Sequence, residues 1–224
     1  CGTTLVRNEG DAKHYCPNFY HCQTQIKGRI EHFISRKAMN IDGLGGETVA
    51  LLYDAGLIKD YADLYELKEN QIVPLERMAE KSAKNIVEGI HLSKNIPFEK
   101  VLYALGIRYV GENVAKKLAK YFKSIDNLLI ANQDELLKVD EIGEKIAQSV
   151  IEFSNDLYNM QLINRLKFHG VQFQMNEKEQ EGLSNKLNGK KFVVSGVFEQ
   201  FSRDELKLSI EKNGGIVASS ISKN

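Results

Sequence analysis

Apolar residues recur at helical spacing through the middle of the chain. Over residues 30–156 they return every three or four positions, as in Val114, Leu118, Tyr121 and Phe122. This spacing places an apolar stripe on one face of each helix. The pattern therefore predicts a mainly α-helical domain built from amphipathic helices.

Four segments of this region resemble one another at intervals of 32 to 34 residues. Each has an apolar residue, two variable residues, a second apolar residue, and then glycine or alanine. A small or β-branched apolar residue follows four positions later. The segments are residues 41–49, 75–83, 107–115 and 139–147. Such a period is typical of stacked helical units.

Each segment predicts a tight turn between two helices. The apolar residues anchor the turn, and glycine allows a backbone conformation that a Cβ would resist. Amide groups at the start of the second helix have no partner within the helix and can hold an anion, and nearby basic residues add to the attraction. Phosphate contacts of this kind position a duplex without recognising base sequence. We therefore expect DNA contacts at Gly43, Gly45, Gly46, Lys81, Lys84, Arg108, Gly111, Lys116, Lys117, Gly143 and Lys145.

The four turns are not expected to contribute equally. The second turn has Ala79 where the others have glycine, and we expect alanine to resist a positive φ there, which would make that turn mainly architectural. Glu141 and Glu144 flank the fourth turn and would repel phosphate. The first and third turns are therefore the stronger candidates.

Other interpretations of the repeat stay open. The glycines could serve only as helix caps. The units could also form a protein-interaction scaffold, although tetratricopeptide repeats of similar period usually contain tryptophan and this chain has none. Phosphate binding would weaken steeply with salt, which separates DNA binding from the scaffold interpretation.

The pattern changes after residue 175. Residues 176–186 are polar and charged and predict an exposed linker. Beyond them we expect a strand over residues 191–194, a helix over residues 204–212 capped by Ser202 and Glu205, and a second strand at Ile216 and Val217. This order predicts the start of a parallel βαβ unit. It is too short to bury a stable sheet, so we expect it to be disordered or to pack on a neighbour.

Three cysteines, Cys1, Cys16 and Cys22, cluster in a turn-rich stretch that is too short to form its own core. In a cytosolic protein such a cluster favours zinc over disulfides. Zinc takes four ligands, so we expect a fourth cysteine upstream of Cys1. The alternatives are that His14 or His21 completes the site, or that the thiols are unrelated. With three ligands we expect weak binding and a metal-free chain.

The charge balance limits how the chain could hold DNA. Lys and Arg number 30, as do Asp and Glu, and the pI is near 7.1. This excludes coating of nucleic acid by bulk charge, so any contact must be local. No apolar run approaches the roughly 20 residues of a membrane span, and the start lacks a secretory pattern. We expect a cytoplasmic protein without membrane contact, cut at both ends from a longer polypeptide.

Together these motifs resemble bacterial NAD-dependent DNA ligases. Residues 38–45 and 104–112 resemble the family's first and third hairpins, and the cysteine region resembles its four-cysteine zinc module from the second cysteine onward. The tail resembles the start of a BRCT domain. The resemblance implies a zinc-finger-like module over residues 1–27, a helix-hairpin-helix domain of four units over 28–175, a linker over 176–186, and a truncated α/β BRCT domain over 187–224.

The resemblance also implies a function. The parent protein would seal nicks in duplex DNA during replication and repair with NAD as adenylate donor, and this region would grip the backbone without sequence specificity. NAD and Mg²⁺ would bind outside this chain. The chain has no Lys-x-Asp-Gly motif and no phosphate-binding loop of the Walker type, so we expect no catalytic residue in it and no activity alone. Another repair enzyme remains an alternative, and the oligomeric state stays open.

Overall fold

The computed structural model describes residues 1–7, 12–176, 186–187, 189–196, 198 and 200–218. The chain divides into two compact units, Cys1–Gln174 and Met175–Asn224. No helix among the described residues is long and apolar enough to cross a membrane.

The first unit contains the four predicted hairpins, each made of two helices joined by a turn. The hairpin helices are α1 (Gln23–Ile34) with α2 (Gly46–Asp54), α3 (Glu69–Ile72) with α4 (Glu80–Ser93), α5 (Phe98–Ala104) with α6 (Glu112–Phe122), and α8 (Gln133–Leu136) with α9 (Glu144–Asn155). The remaining elements are a 3₁₀ turn (Asp63–Glu66), α7 (Ile125–Leu129) and α10 (Leu157–Phe168). The mainly α-helical fold class is confirmed.

The last apolar position of each repeated segment lies at the centre of its hairpin. These residues are fully buried, and they are Val49, Ala83, Ala115 and Ala147. Three of the four are alanines, whose small side chains let the second helix pack closely against its neighbours. This position is therefore a packing position of the fold, as the sequence pattern predicts.

The first hairpin packs directly on the second. A Cβ built on Gly89 of α4 would lie 2.6 Å from the carbonyl oxygen of Asp42, and one built on Gly43 would lie 3.3 Å from Cγ1 of Ile86. The first turn therefore rests on α4 at a distance that only glycine permits at residue 89. The sequence pattern did not single out Gly89.

A half-buried ion cluster ties α10 to the segment before α3. The guanidinium of Arg165 donates hydrogen bonds to the carboxylates of Asp60, Asp63 and Glu66. Burial opposes the charge on Arg165, but the bonds to Glu66 and Asp63 outweigh it and raise its pKa. The pKa of Asp60 is raised, first by burial and then by the neighbouring Asp63. Next to this cluster, Phe33 stacks on Tyr61 with ring centroids 4.5 Å apart.

The second unit contains a small parallel βαβ arrangement. Strand β1 (Lys191–Phe192) pairs with β2 (Ile216–Val217) in parallel, and α11 (Arg203–Lys212) lies between them in the chain. The capping box of Ser202 and Glu205 forms as predicted. The first strand is two residues shorter than expected. Most of the predicted linker, residues 177–185, lies outside the described residues.

The expectation that this tail is disordered or packs on a neighbour stays a prediction, and its described residues form a small packed arrangement. Ile210 of α11 is only 9% exposed. A Cβ built on Gly215 would meet Ile210 and the ring of Phe192, so the helix packs closely on the two strands.

Replacing Gly89 with alanine tests the close packing of the first two hairpins. We expect Gly89→Ala to lower the free energy of unfolding by about 1–3 kcal/mol, since the new methyl group meets main-chain atoms that cannot move aside easily. Thermal unfolding followed by circular dichroism measures this.

Gly28 in α1 is the matched control, because no described atom lies within 4 Å of its Cβ position. Gly28→Ala should stabilise the chain by up to about 1 kcal/mol through helix propensity. Equal stabilisation by both substitutions would show that α4 and the first turn do not pack as described.

Candidate nucleic-acid interface and metal centre

The four hairpin turns share one backbone conformation. In the second, third and fourth turns the amide of the fourth segment residue donates to the carbonyl of the first, over 3.1, 3.0 and 3.1 Å. The third residue of every segment is left-handed, with φ between +63° and +82°. These residues are Gly43, Arg77, Tyr109 and Glu141. A positive φ at the third of four residues is a feature of tight β-turns such as type II.

The expectation that Ala79 stands at a position of positive φ is wrong. The fifth segment residue precedes the second helix and is extended, with φ of −125° at Gly45, −93° at Ala79, −82° at Gly111 and −95° at Gly143. Alanine adopts this conformation without strain. The left-handed residue lies two positions earlier, where three of the four turns manage without glycine.

Glycine at the fifth segment position leaves the surface beside the second helix open. No described atom lies within 4 Å of a Cβ built on Gly45, Gly111 or Gly143. Neither the backbone conformation nor packing within the chain therefore requires glycine at these three places. Its effect is to leave the start of the second helix uncovered, so that another molecule can approach the backbone closely.

The amide groups behind these glycines are also left without a side-chain cap. Within residues 12–176, the residues that precede α2, α4, α6 and α9 make no side-chain capping bond. By contrast, Ser124, Asn132 and Asp156 cap α7, α8 and α10 with side-chain oxygens. The second helices of the hairpins thus start with unsatisfied donors and a positive dipole end, which suits an anion.

The predicted basic residues surround these helix starts in different ways. Lys81, Lys84 and Lys145 are exposed. The guanidinium of Arg108 lies 4.9 Å from the ring centre of Tyr109, at the tip of the third turn. Lys116 is half-buried on α6. Each of these positions agrees with a surface role, and their contacts with DNA stay predictions.

Two ion pairs at the helix starts were not foreseen from the sequence. Lys117 lies 2.7 Å from Asp140 and 2.9 Å from Glu141 in the fourth turn. Lys37 lies 2.8 Å from Glu112, the first residue of α6, and this bond raises the pKa of Lys37. Gly46, another predicted contact, has the carboxylate of Glu31 beside it, 3.2 Å from its Cβ position. Local sequence could not have indicated these contacts between distant residues.

The three cysteines come together as the sequence predicts. Their sulfur atoms lie within 4.8 Å of one another, and those of Cys1 and Cys16 are 3.5 Å apart. Two hydrogen bonds of 2.9 Å between Val6 and Tyr15 form the short antiparallel bridge that aligns the two chain segments. In a tetrahedral zinc site with Zn–S bonds of about 2.3 Å, sulfurs lie about 3.8 Å apart. The spacing fits a metal centre.

The surroundings of Cys22 favour the charged thiolate form that binds metal. Cys22 lies at the start of α1, where the backbone amide of Gln25 stabilises its thiolate and lowers its pKa. Among the described residues the group of possible ligands consists of the three thiols, and the exposed His14 and His21 are not part of it. The alternative in which a histidine completes the site therefore finds no support.

Family models match most of the chain. Residues 1–23 match the NAD-dependent DNA ligase C4 zinc finger domain. Residues 35–91 match the SAM-like helix-hairpin-helix tandem, and residues 100–163 the helix-hairpin-helix motif. Residues 182–224 match the BRCA1 C-terminus (BRCT) domain.

Relatives agree with these matches along the whole chain. The chain is 65% identical over 222 residues to a DNA ligase of Flavobacterium psychrophilum, 63% to one of Flavobacterium johnsoniae and 55% to one of Bacteroides fragilis. The chain belongs to the NAD-dependent DNA ligase family. Each alignment covers 99% of this chain and 33% of the relative, so the chain spans about a third of the length of these ligases.

Family membership confirms the expected modules of this ligase chain. The cysteine cluster belongs to a zinc finger domain that is described by four cysteines, of which the chain contributes three. The helix-hairpin-helix and BRCT assignments hold as well. The residues proposed to contact DNA, and the expected domain boundaries, stay predictions.

The metal content of the 224-residue chain tests the cysteine cluster. We expect less than one zinc per chain after purification, because three thiols leave one zinc position without a cysteine ligand. Elemental analysis after dialysis measures this, and a Cys16→Ser variant should abolish the residual binding. One zinc per chain that survives a chelator would contradict the prediction.

Proposed function

We propose that this chain is the DNA-gripping region of a ligase that seals nicks in duplex DNA during replication and repair. Its hairpins hold the phosphate backbone without recognising base sequence. The observation that carries the proposal is the uncovered start of the second helix at Gly45, Gly111 and Gly143, where amide donors face open space. A nonbridging phosphate oxygen is the acceptor that such a helix start suits best.

The neutral charge of the chain is consistent with this grip. With equal numbers of acidic and basic residues, attraction to DNA must come from placed groups and not from an overall field. Amide donors at helix starts are such groups, and the exposed lysines near them add local charge. The grip therefore depends on the surface of each turn.

The four turns are proposed to contribute unequally to phosphate binding, because they differ in steric access and in charge. At the second turn, the methyl group of Ala79 stands where the other turns leave open space. The fourth turn carries Asp140 and Glu141 next to its helix start. The first and third turns remain the main proposed contacts, which keeps the earlier ranking but replaces backbone strain by steric access as its cause.

The nick-sealing chemistry is proposed to reside in the rest of the protein. NAD and Mg²⁺ would bind there, since this chain has no Lys-x-Asp-Gly motif that could accept adenylate. The chain alone would then bind nicked DNA in the cytoplasm without joining it. The zinc module would hold the start of α1 in place, because Cys22 precedes that helix directly.

Salt dependence tests this function against the alternative, a scaffold for a partner protein. We expect the chain to bind a labelled nicked duplex with an affinity that falls linearly with salt on a double-logarithmic plot. If a basic residue beside each of three turns neutralises about one phosphate, the slope is about −3. Fluorescence anisotropy measures it, and duplexes of different sequence should bind equally. No binding at low salt would favour the scaffold.

Substitution of the helix-start glycine tests the site itself. We expect Gly45→Val to weaken binding of the nicked duplex about tenfold, because the new side chain covers the amide donors, at a cost of roughly 1.4 kcal/mol. Circular dichroism should show little change in helicity, since no described atom lies near the Cβ position.

Ala79→Val is the matched control, because the second turn already carries a Cβ at the same position. We expect it to change the affinity by less than about twofold, within the range of substitutions at exposed positions. An unchanged affinity of Gly45→Val, or equal effects of the two substitutions, would count against the proposed contact.

A further inference from the structure

The third and fourth hairpins are joined by a charge contact that has no counterpart in the repeat pattern. Lys117 lies on α6, the second helix of the third hairpin, and its Nζ is 2.7 Å from Oδ2 of Asp140 and 2.9 Å from Oε2 of Glu141. Both carboxylates belong to the turn of the fourth hairpin. One ammonium group therefore meets two carboxylates.

The turn itself directs the two carboxylates to the surface. Asp140 and Glu141 are the central residues of the turn that the amide of Ile142 closes on the carbonyl of Val139, and Glu141 is left-handed. Their side chains are 86% and 66% exposed, whereas that of Lys117 is only 29% exposed. The acids thus project from the turn, and the lysine lies largely against the protein beneath them.

The same two positions differ in charge among the four turns. They hold Asp42 and Gly43 in the first turn, Glu76 and Arg77 in the second, and Arg108 and Tyr109 in the third. Of the four turns, only the fourth has a carboxylate at both positions, Asp140 and Glu141. The helix start that follows it, behind Gly143, is uncovered. Two uncompensated acids at that place would repel the phosphate that the amides could hold.

We propose that Lys117 is a positioning residue that offsets one of the two carboxylate charges of the fourth turn, so that the helix start behind Gly143 can accept a DNA phosphate. This inference rests on the proposed function and replaces the expectation that Lys117 touches DNA itself. The acidic pair holds the lysine, and the lysine brings the net charge of the turn from −2 to −1, which weakens the repulsion. The fourth hairpin then depends on the third for its ability to bind.

The pKa shifts of Asp140 and Lys117 agree with an ion pair between them. The pKa of Asp140 lies below its ordinary value, mainly because Lys117 donates a hydrogen bond to it. Burial opposes the charge of Lys117, but the hydrogen bonds to Asp140 and Glu141 outweigh burial and raise its pKa. Both shifts keep Asp140 and Lys117 charged at neutral pH, which is the state that their pairing needs.

A double-mutant cycle separates neutralisation from direct contact. The affinity of the 224-residue chain for a labelled nicked duplex is measured by fluorescence anisotropy at low salt for four forms. They are the unchanged chain, Lys117→Met, Asp140→Asn with Glu141→Gln, and all three substitutions together. We expect Lys117→Met to weaken binding about fivefold and the two neutralised acids to leave it equal or tighter, with both effects fading at high salt.

The decisive result is the effect of Lys117→Met once the acids are gone. We expect it to shrink to that of Lys120→Met, a control that removes one charge from an exposed position of the same helix. Lys117→Arg should retain the affinity of the unchanged chain, which guards against a loss of structure in the methionine variant. Melting temperatures should change little, because exposed ion pairs stabilise weakly.

Other outcomes would overturn the inference. A fivefold loss that persists without the acids would mean that Lys117 contacts DNA directly, and no loss in the unchanged background would mean that the turn does not bind. Failure of the unchanged chain to bind nicked duplex at low salt would overturn the proposed function and this inference with it.

Discussion

The backbone donors at the start of each hairpin's second helix are the constraint on which the rest of this structure depends. A helix leaves its first amides without internal partners, and a protein normally covers them with a side-chain oxygen. This chain does so at α7, α8 and α10 but not at the second helices of its four hairpins, nor at α1 and α5. At three of the four second helices the residue before the helix is glycine, which leaves the first amides open to another molecule. The buried residue at the end of each segment, such as Ala115, fixes the helix behind the open amides.

Forming that arrangement four times requires a left-handed residue in each turn. A left-handed conformation costs an L-residue about 1–2 kcal/mol, and three turns accept that cost at Arg77, Tyr109 and Glu141. The surrounding packing holds it in place, since Ile107 and Val110 on either side of the third turn are both buried. Only the first turn uses glycine at this position, and there a Cβ would also press on Ile86 of α4.

Local patterns in the sequence predicted the helices, the hairpin repeat, the cysteine cluster and the cap of α11, because each depends on residues close together in the chain. The role of the fifth segment residue was misjudged, since sequence alone does not show which residue of a turn is left-handed. Glycine there serves access and not conformation, as Ala79 demonstrates by adopting the same φ region. Contacts between distant residues also escaped prediction, among them Gly89 on Asp42 and Arg165 on the three carboxylates. They depend on how helices pack, which a periodic pattern does not encode.

The neutral charge of the chain gives its ion pairs an importance that they would lack in a basic protein. Where the overall field is close to zero, the charges within a few ångströms of a helix start decide whether an anion is attracted there. Acids next to these starts stabilise the helix through its dipole, but they also compete with any incoming phosphate. At the third hairpin the acid Glu112 is paired with Lys37, and at the fourth the acids of the turn are paired with Lys117. These pairs reduce the conflict, because each lysine offsets one negative charge close to a helix start.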